Sequence, residues 1–272
     1  MALNPDVSKN ILFAFAPLDL VALLIFVVSW YGYITFARKR ARDTHCLSSI
    51  LRSLRVDWIA TLTRKEHQVA DASLLGNVER TVTFFASTTI LVLAGVLTLL
   101  SSSAQVVDVL ATIPYTAETS TQKVQFKLFL LAFIFVFAFF KFTWAIRQFG
   151  FVSVLMGVAP QYRSPDFSDE QRDIFIRHTA KVLDQAGHEY NNGLRAYYFA
   201  MAYLAWFIHP YLLIAGVAVV VWVLYRREYR SRILRSLLAT KGFVPGKQPV
   251  LNKPTAEALP EDTVTSAETT KE

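Results

Sequence analysis

Apolar residues in this chain occur in long runs divided by short charged segments, rather than in the alternation of a half-exposed strand or the narrow stripe of a soluble helix. The runs extend over about 11–36, 81–100, 124–147 and 196–225. An α-helix rises about 1.5 Å per residue, so roughly 20 apolar residues cross the ~30 Å hydrocarbon layer of a bilayer. The first three runs therefore predict one span each. Within the third, FIFVFAFF alternates as a strand would, but it lies inside a continuous apolar run with ten Phe between Phe126 and Phe151, which favours a helix. The last run has 30 residues, about 45 Å as one helix, and carries His209 and Pro210 near its middle. Two short helices, about 195–208 and 211–226, accommodate it, with Pro210 in the first turn of the second, where its missing N–H costs nothing. A four-span arrangement with one tilted or kinked helix is the alternative. The expected fold is all-α, a polytopic membrane helix bundle of about five spans forming one domain over 1–240, with a disordered tail over 241–272.

Two polar stretches add cytoplasmic amphipathic helices. From Cys46 to Leu62 the apolar residues Leu47, Ile50, Leu51, Leu54, Trp58, Ile59 and Leu62 recur at three and four, while Arg52 and Arg55 take other faces. In PDFSDEQ, Ser168 followed by Gln171 has the spacing of a capping box.

Charge orients these elements. Residues 38–80 hold nine Lys or Arg against five Asp or Glu, and Arg226, Arg227, Arg230, Arg232 and Arg235 follow the last run. The positive-inside rule puts both basic stretches in the cytoplasm and the N-terminus outside, in the cell (inner) membrane. The first run lacks the positive leader, short core and small-residue cleavage site of a signal peptide and reads as a retained span. Across 272 residues, 53% are hydrophobic and 18% charged, with mean hydropathy +0.35 and net charge +7. The basic excess lies beside the apolar runs, so membrane lipids are the expected partners, nucleic acid is not, and a homo-oligomer is an open option. With Cys46 alone there is no intrachain disulfide, and the five His show no HxxxH or HExxH spacing, so no cofactor or metal is expected.

LLGNVERTVTFFAST (74–88) and YRSPDFSDEQRDIFIRHTAKVLDQAGHEYNNGLRAYYFA (162–200), with AWFIHPYL (205–212) and YRREYRSR (225–232), closely resemble the DUF599 family of bacterial and plant membrane proteins over roughly 17–238. The resemblance implies a membrane protein and carries over no reaction, ligand or catalytic residue.

Candidate chemistry rests on a few polar groups. Asn77, Glu79 and Arg80 precede the second run and Asn192 and Arg195 the fourth, each within N-x-x-R-x-x-x-F ending at Phe84 and Phe199. One reading is a repeated unit around a cytoplasmic mouth, with the arginines paired to Glu79, Asp184 or Glu189. The other is interfacial anchoring, with both guanidiniums snorkelling to phosphate. Gly76 and Gly193 would allow close backbone approach. His178, His188 and Glu189 resemble part of a metal or acid–base cluster, but the ten-residue spacing of the histidines is no recognised metal signature, and Asp184 with His188 is an i,i+4 helix pair needing no metal. Asp19 and Lys141 lie within apolar runs, where charge is costly; Asp19 suits a first helical turn and Lys141 lies within snorkelling reach of the inner surface. The functional expectation is a structural or interaction protein without catalysis. The alternative is a small solute or ion transporter or channel with polar groups at its cytoplasmic mouth.

Overall fold

A chain in hydrocarbon must satisfy its backbone N–H and C=O groups internally, and α-helices do so within one segment. The computed structural model describes residues 15–44, 46–114, 116–117, 120–160 and 167–240, apart from the side chains of 41–43, and all regular structure among them is helical. The start of the first apolar run (11–14) and the tail expected over 241–272 lie outside the described residues. In chain order the helices are α1 (Pro17–Asp43), α2 (Leu47–Leu62), α3 (Val69–Ser101), α4 (Ser103–Ala111), α5 (Thr121–Gly157), α6 (Asp169–Leu204), α7 (Pro210–Tyr229) and α8 (Arg232–Thr240), with one 3-10 turn at Ala205–Phe207 before α7.

Start signals in the sequence account for several boundaries. Pro17 opens α1 with Asp19 in its first turn, where an acid complements the helix dipole. Ser120 accepts from Lys123 N–H to begin α5. Ser168 and Gln171 form a reciprocal capping box on α6: Gln171 N–H donates to Ser168 Oγ (3.2 Å) and Ser168 N–H to Gln171 Oε1 (2.9 Å). His209 caps α7 by accepting from Tyr211 N–H, and Pro210 follows at the first helical position. Cys46 and Ser49 form a local capping box on α2, with Cys46 N–H donating to Ser49 Oγ at 3.0 Å, and Glu228 of α7 adds a distant acceptor: Ser48 N–H and Oγ–H both donate to Glu228 Oε1, at 3.0 and 2.6 Å.

Among the described residues, four segments are long and apolar enough to cross a membrane: Pro17–Arg40, Val69–Ser101, Thr121–Gly157 and Pro210–Thr240. The helices outrun their apolar runs. α3 begins twelve residues before Thr81 and α5 continues ten beyond Arg147, because helical hydrogen bonding persists in water after hydrocarbon ends. The segment 195–208 is not a separate helix but the last part of the 36-residue α6 and its 3-10 turn.

That helix is the centre of the bundle. It runs antiparallel to α5, with Glu189 beside Lys141 near the middle of both helices and Trp206, in the following turn, beside Lys127 near the start of α5. Phe199, Tyr203 and Trp206 are fully enclosed where α6 and its 3-10 turn meet α1, and Phe142 of α5 is enclosed against Phe85 of α3 and Tyr190 and Tyr197 of α6. Since lipid chains are as apolar as Phe, close packing and interhelical hydrogen bonds hold such contacts together rather than transfer from water. Gly193 shows the packing directly, because a Cβ there would fall 2.8 Å from Phe142 Cδ1. Thr89 of α3 and Tyr197 of α6 share a 2.8 Å hydrogen bond across the same core. At the end opposite α2, Trp206 joins three helices. Its Nε1 donates to Asp19 Oδ1 (2.8 Å), and its carbonyl accepts from the buried Lys127 ammonium (2.8 Å).

Candidate functional site

The basic end of the bundle, where α1 finishes and α7 returns, contains the densest polar constellation. The pattern of α6 prepares it: Arg177, Lys181, Asp184 and His188 recur at four and three and share one helical face. Against this face lie Arg38 at the end of α1 and Arg52 with Val56 on α2, enclosing a cleft of about 640 Å³. Asp184 forms its floor, accepting from Arg52 Nε at 2.9 Å and Arg55 Nη1 at 2.6 Å. Gly187 leaves room for that pairing, since a Cβ there would lie 2.9 Å from Arg55 Cζ. His188 Nδ1 is 2.9 Å from the Asp184 carbonyl oxygen and 3.6 Å from Oδ2. Glu189, on the cleft edge, accepts from Lys141 Nζ at 2.8 Å.

Both carboxylates of the cleft are thus engaged, each by a cation from another helix. Arg38, Arg177 and Lys181 have no ion-pair partner among the described residues and face the same space. Such a wall favours a negatively charged guest by its field and its donors. Among the described residues no three His, Cys, Asp or Glu side chains are grouped to hold a metal ion.

The other residues singled out from sequence fall in separate places. Asn77 and Arg80 are exposed on α3, and Glu79 accepts from Ser153 Oγ on α5 at 3.0 Å. Asn192 is buried and its Oδ1 accepts from Arg195 Nη1 (3.3 Å), while the Arg195 guanidinium lies over the Tyr33 ring of α1, 5.5 Å from its centroid. No hydrogen bond or ion pair among the described residues joins the two N-x-x-R units, and neither arginine pairs with Glu79, Asp184 or Glu189. Gly76 has open space around it, unlike Gly193. Asp19 sits at the far end with Trp206. Of the aromatic residues near helix ends, Tyr31, Trp144 and Trp222 are exposed in the manner of an interfacial belt. Trp30 instead packs on Phe26, Phe137 and Phe199, and Tyr33 is buried.

Sequence reasoning missed Arg38, Arg177 and Lys181 as a group and the role of Arg52 and Arg55. The signal was available in the period-3.6 charged stripe on α6 and the i,i+3 arginine pair on α2. It also missed Lys127, whose 5% exposure makes it the most enclosed cation of the bundle among the described residues.

An all-helical bundle with four membrane-length apolar helices and a polar cleft at its basic end defines a polytopic helical membrane protein. Within that class the chain belongs to the family described as protein of unknown function, DUF599, which it matches over residues 21–233. No curated protein and no solved structure matches it.

Proposed function

We propose that the protein is a multi-pass component of the cell (inner) membrane that binds an anionic group at its basic end without transforming it, an interaction role rather than a catalytic one. The observation that carries the reading is the set of three cations, Arg38, Arg177 and Lys181, left without ion-pair partners above a floor already neutralised by Arg52, Arg55 and Lys141. Structural ion pairs alone would leave no such excess facing one cleft. The positive-inside rule directs this end to the cytoplasm, with α6 counted as the crossing that brings α7 back to it and the N-terminus outside.

The test is thermal unfolding of the full chain in detergent with inorganic phosphate as probe, against chloride at matched ionic strength. Ligand bound only by the folded state raises stability as RT ln(1 + [L]/Kd). The expected result is stabilisation by phosphate that Arg177→Gln with Lys181→Gln removes. Equal unfolding in phosphate and chloride would overturn the reading. A transport role is favoured by one observation: the Lys141–Glu189 pair connects the cleft edge to the side of α5 that carries Phe137 and Trp144. Uptake of labelled phosphate by proteoliposomes, lost in Lys141→Met, would establish that role instead.

A further inference from the structure

A second concavity lies on the membrane-facing side of the bundle, away from the cleft. α1 and α7 diverge to leave a groove of about 720 Å³, walled by Ile25, Val28 and Phe36 on one side and Ile214, Val221 and Trp222 on the other. Ser29, Gly32 and Ala218 keep it open, and a Cβ at Gly32 would meet nothing within 4 Å. From Ile25 to Phe36, and equally from Ile214 to Tyr225, the lining covers eleven residue steps, about 16 Å of helix. That equals half of the ~30 Å hydrocarbon layer, the depth of one leaflet. The groove thus has the length of a single acyl chain, and it ends at the basic end of the bundle.

The charge at that end is placed on the aromatic residues of the groove itself. The Arg40 guanidinium lies over the Phe36 ring (5.6 Å), Arg226 over Trp222 (5.5 Å) and Arg195 over Tyr33 (5.5 Å). Aromatic faces hold guanidiniums by their flat side and leave the N–H edge for oxygen acceptors; Arg195 gives one of its N–H groups to Asn192 and keeps the others. The nearest acid, Glu228, is engaged by Ser48. An apolar slot one leaflet deep, crowned by three arginines, has the polarity profile of one phospholipid molecule: hydrocarbon below and an anionic headgroup above.

We infer that the α1–α7 groove is a specific site for an anionic phospholipid of the leaflet at the basic end, its acyl chain between the helices and its headgroup on Arg40, Arg195 and Arg226. The site shares no residue with the cleft between α1, α2 and α6, so either can fail without the other. It also turns the phosphate-directed reading of Arg195 into a defined site shared with Arg40 and Arg226.

Native mass spectrometry of the full chain, released from detergent with equimolar dioleoyl phosphatidylglycerol and dioleoyl phosphatidylethanolamine, is the test. Each Arg beside an anionic surface supplies about a fivefold preference, so retention of phosphatidylglycerol over phosphatidylethanolamine by at least about fivefold is expected. Arg40→Gln with Arg226→Gln should erase that preference while some chain-dependent retention persists. Gly32→Leu, which fills the slot from α1, should reduce retention of both lipids, and Ala218→Leu should do the same from α7, so a folding defect in one variant leaves the other as the check. Equal retention of the two lipids, a preference unchanged by the arginine substitutions, or a dimer formed through the groove with no lipid bound would each overturn the assignment.

Discussion

The Gly193 contact with Phe142 is the tightest point of the α5–α6 seam and makes a clean test of packing in a bilayer-type core. A methyl group there cannot be absorbed by a flexible neighbour, because the atoms it meets belong to an aromatic ring enclosed on all sides. Gly193→Ala is expected to cost about 1–3 kcal/mol, the usual range for overpacking, read as a lowered unfolding temperature in detergent. Gly76→Ala, at a helical site with open space, should be neutral or stabilising by up to about 1 kcal/mol. Cys46 offers a second residue-level test. Burial pushes its thiol above the usual range, with the Glu228 carboxylate adding in the same direction. The native protein therefore favours the protonated thiol, a contribution present below the unfolded pKa and lost as pH rises through the higher folded value. Iodoacetamide at pH 8 should modify Cys46 at least about tenfold more slowly in the folded protein than after unfolding, and comparable rates would contradict its enclosure.

At the scale of elements, α6 combines two environments in one uninterrupted rod. Its first half carries the charged stripe of the cleft, and its second half is sheathed by α1, α3, α5 and α7, so neither half needs the uniform apolarity of a lipid-facing span. This is why hydropathy locates α1, α3, α5 and α7, and residue spacing α2 and the Ser168 cap, yet hydropathy divides α6 into a polar stretch and a short apolar one; neither signal marks α4 or α8. The candidate site was harder to read for a different reason. Repeated spacing along the chain says nothing of azimuth: Arg80 projects from the surface of α3 while Arg195 turns toward Tyr33 of α1, and equally spaced Asn and Arg thus lead to unrelated neighbours. The Arg177, Lys181, Asp184 and His188 stripe could be read, but its partners on α1 and α2 lie more than a hundred residues away and come together only in the fold. Asp184 is the joint between these elements. Replacing it with Asn keeps the shape but removes the charge facing Arg52 and Arg55. With both arginines partly solvated, a loss of about 1–2 kcal/mol is expected, together with faster hydrogen exchange across α2. Unchanged exchange would show that α2 is held by its apolar face alone.

For the whole molecule, the decisive question is which face of the membrane each end occupies. In a Cys46→Ala background, a cysteine placed at Asp108 on exposed α4 should react with an impermeant maleimide in intact cells. Cysteines at Glu170 and Arg230 should react only after permeabilisation, since α6 begins and α7 ends at the basic end. Labelling of position 230 from outside would refute the arrangement in which α6 crosses and α7 returns. The paired ends of α1 and α7 make the outcome interpretable, because Arg40 lies over the Tyr229 ring and both must share one side.

The hydrogen bonds from Ser48 to Glu228 have a bearing on how the chain assembles during synthesis. They join residues 180 positions apart, so the ribosome delivers α2 long before the carboxylate that completes its first turn. Until α7 has entered the membrane, α2 has the local capping box of Cys46 and Ser49 but lacks the distant acceptor for Ser48. Arrival of the last span then fixes only the first turn of a helix that Asp184 of α6 already holds through Arg52 and Arg55, and a chain stopped at residue 209 should show faster hydrogen exchange at Ser48 while the rest of α2 stays protected.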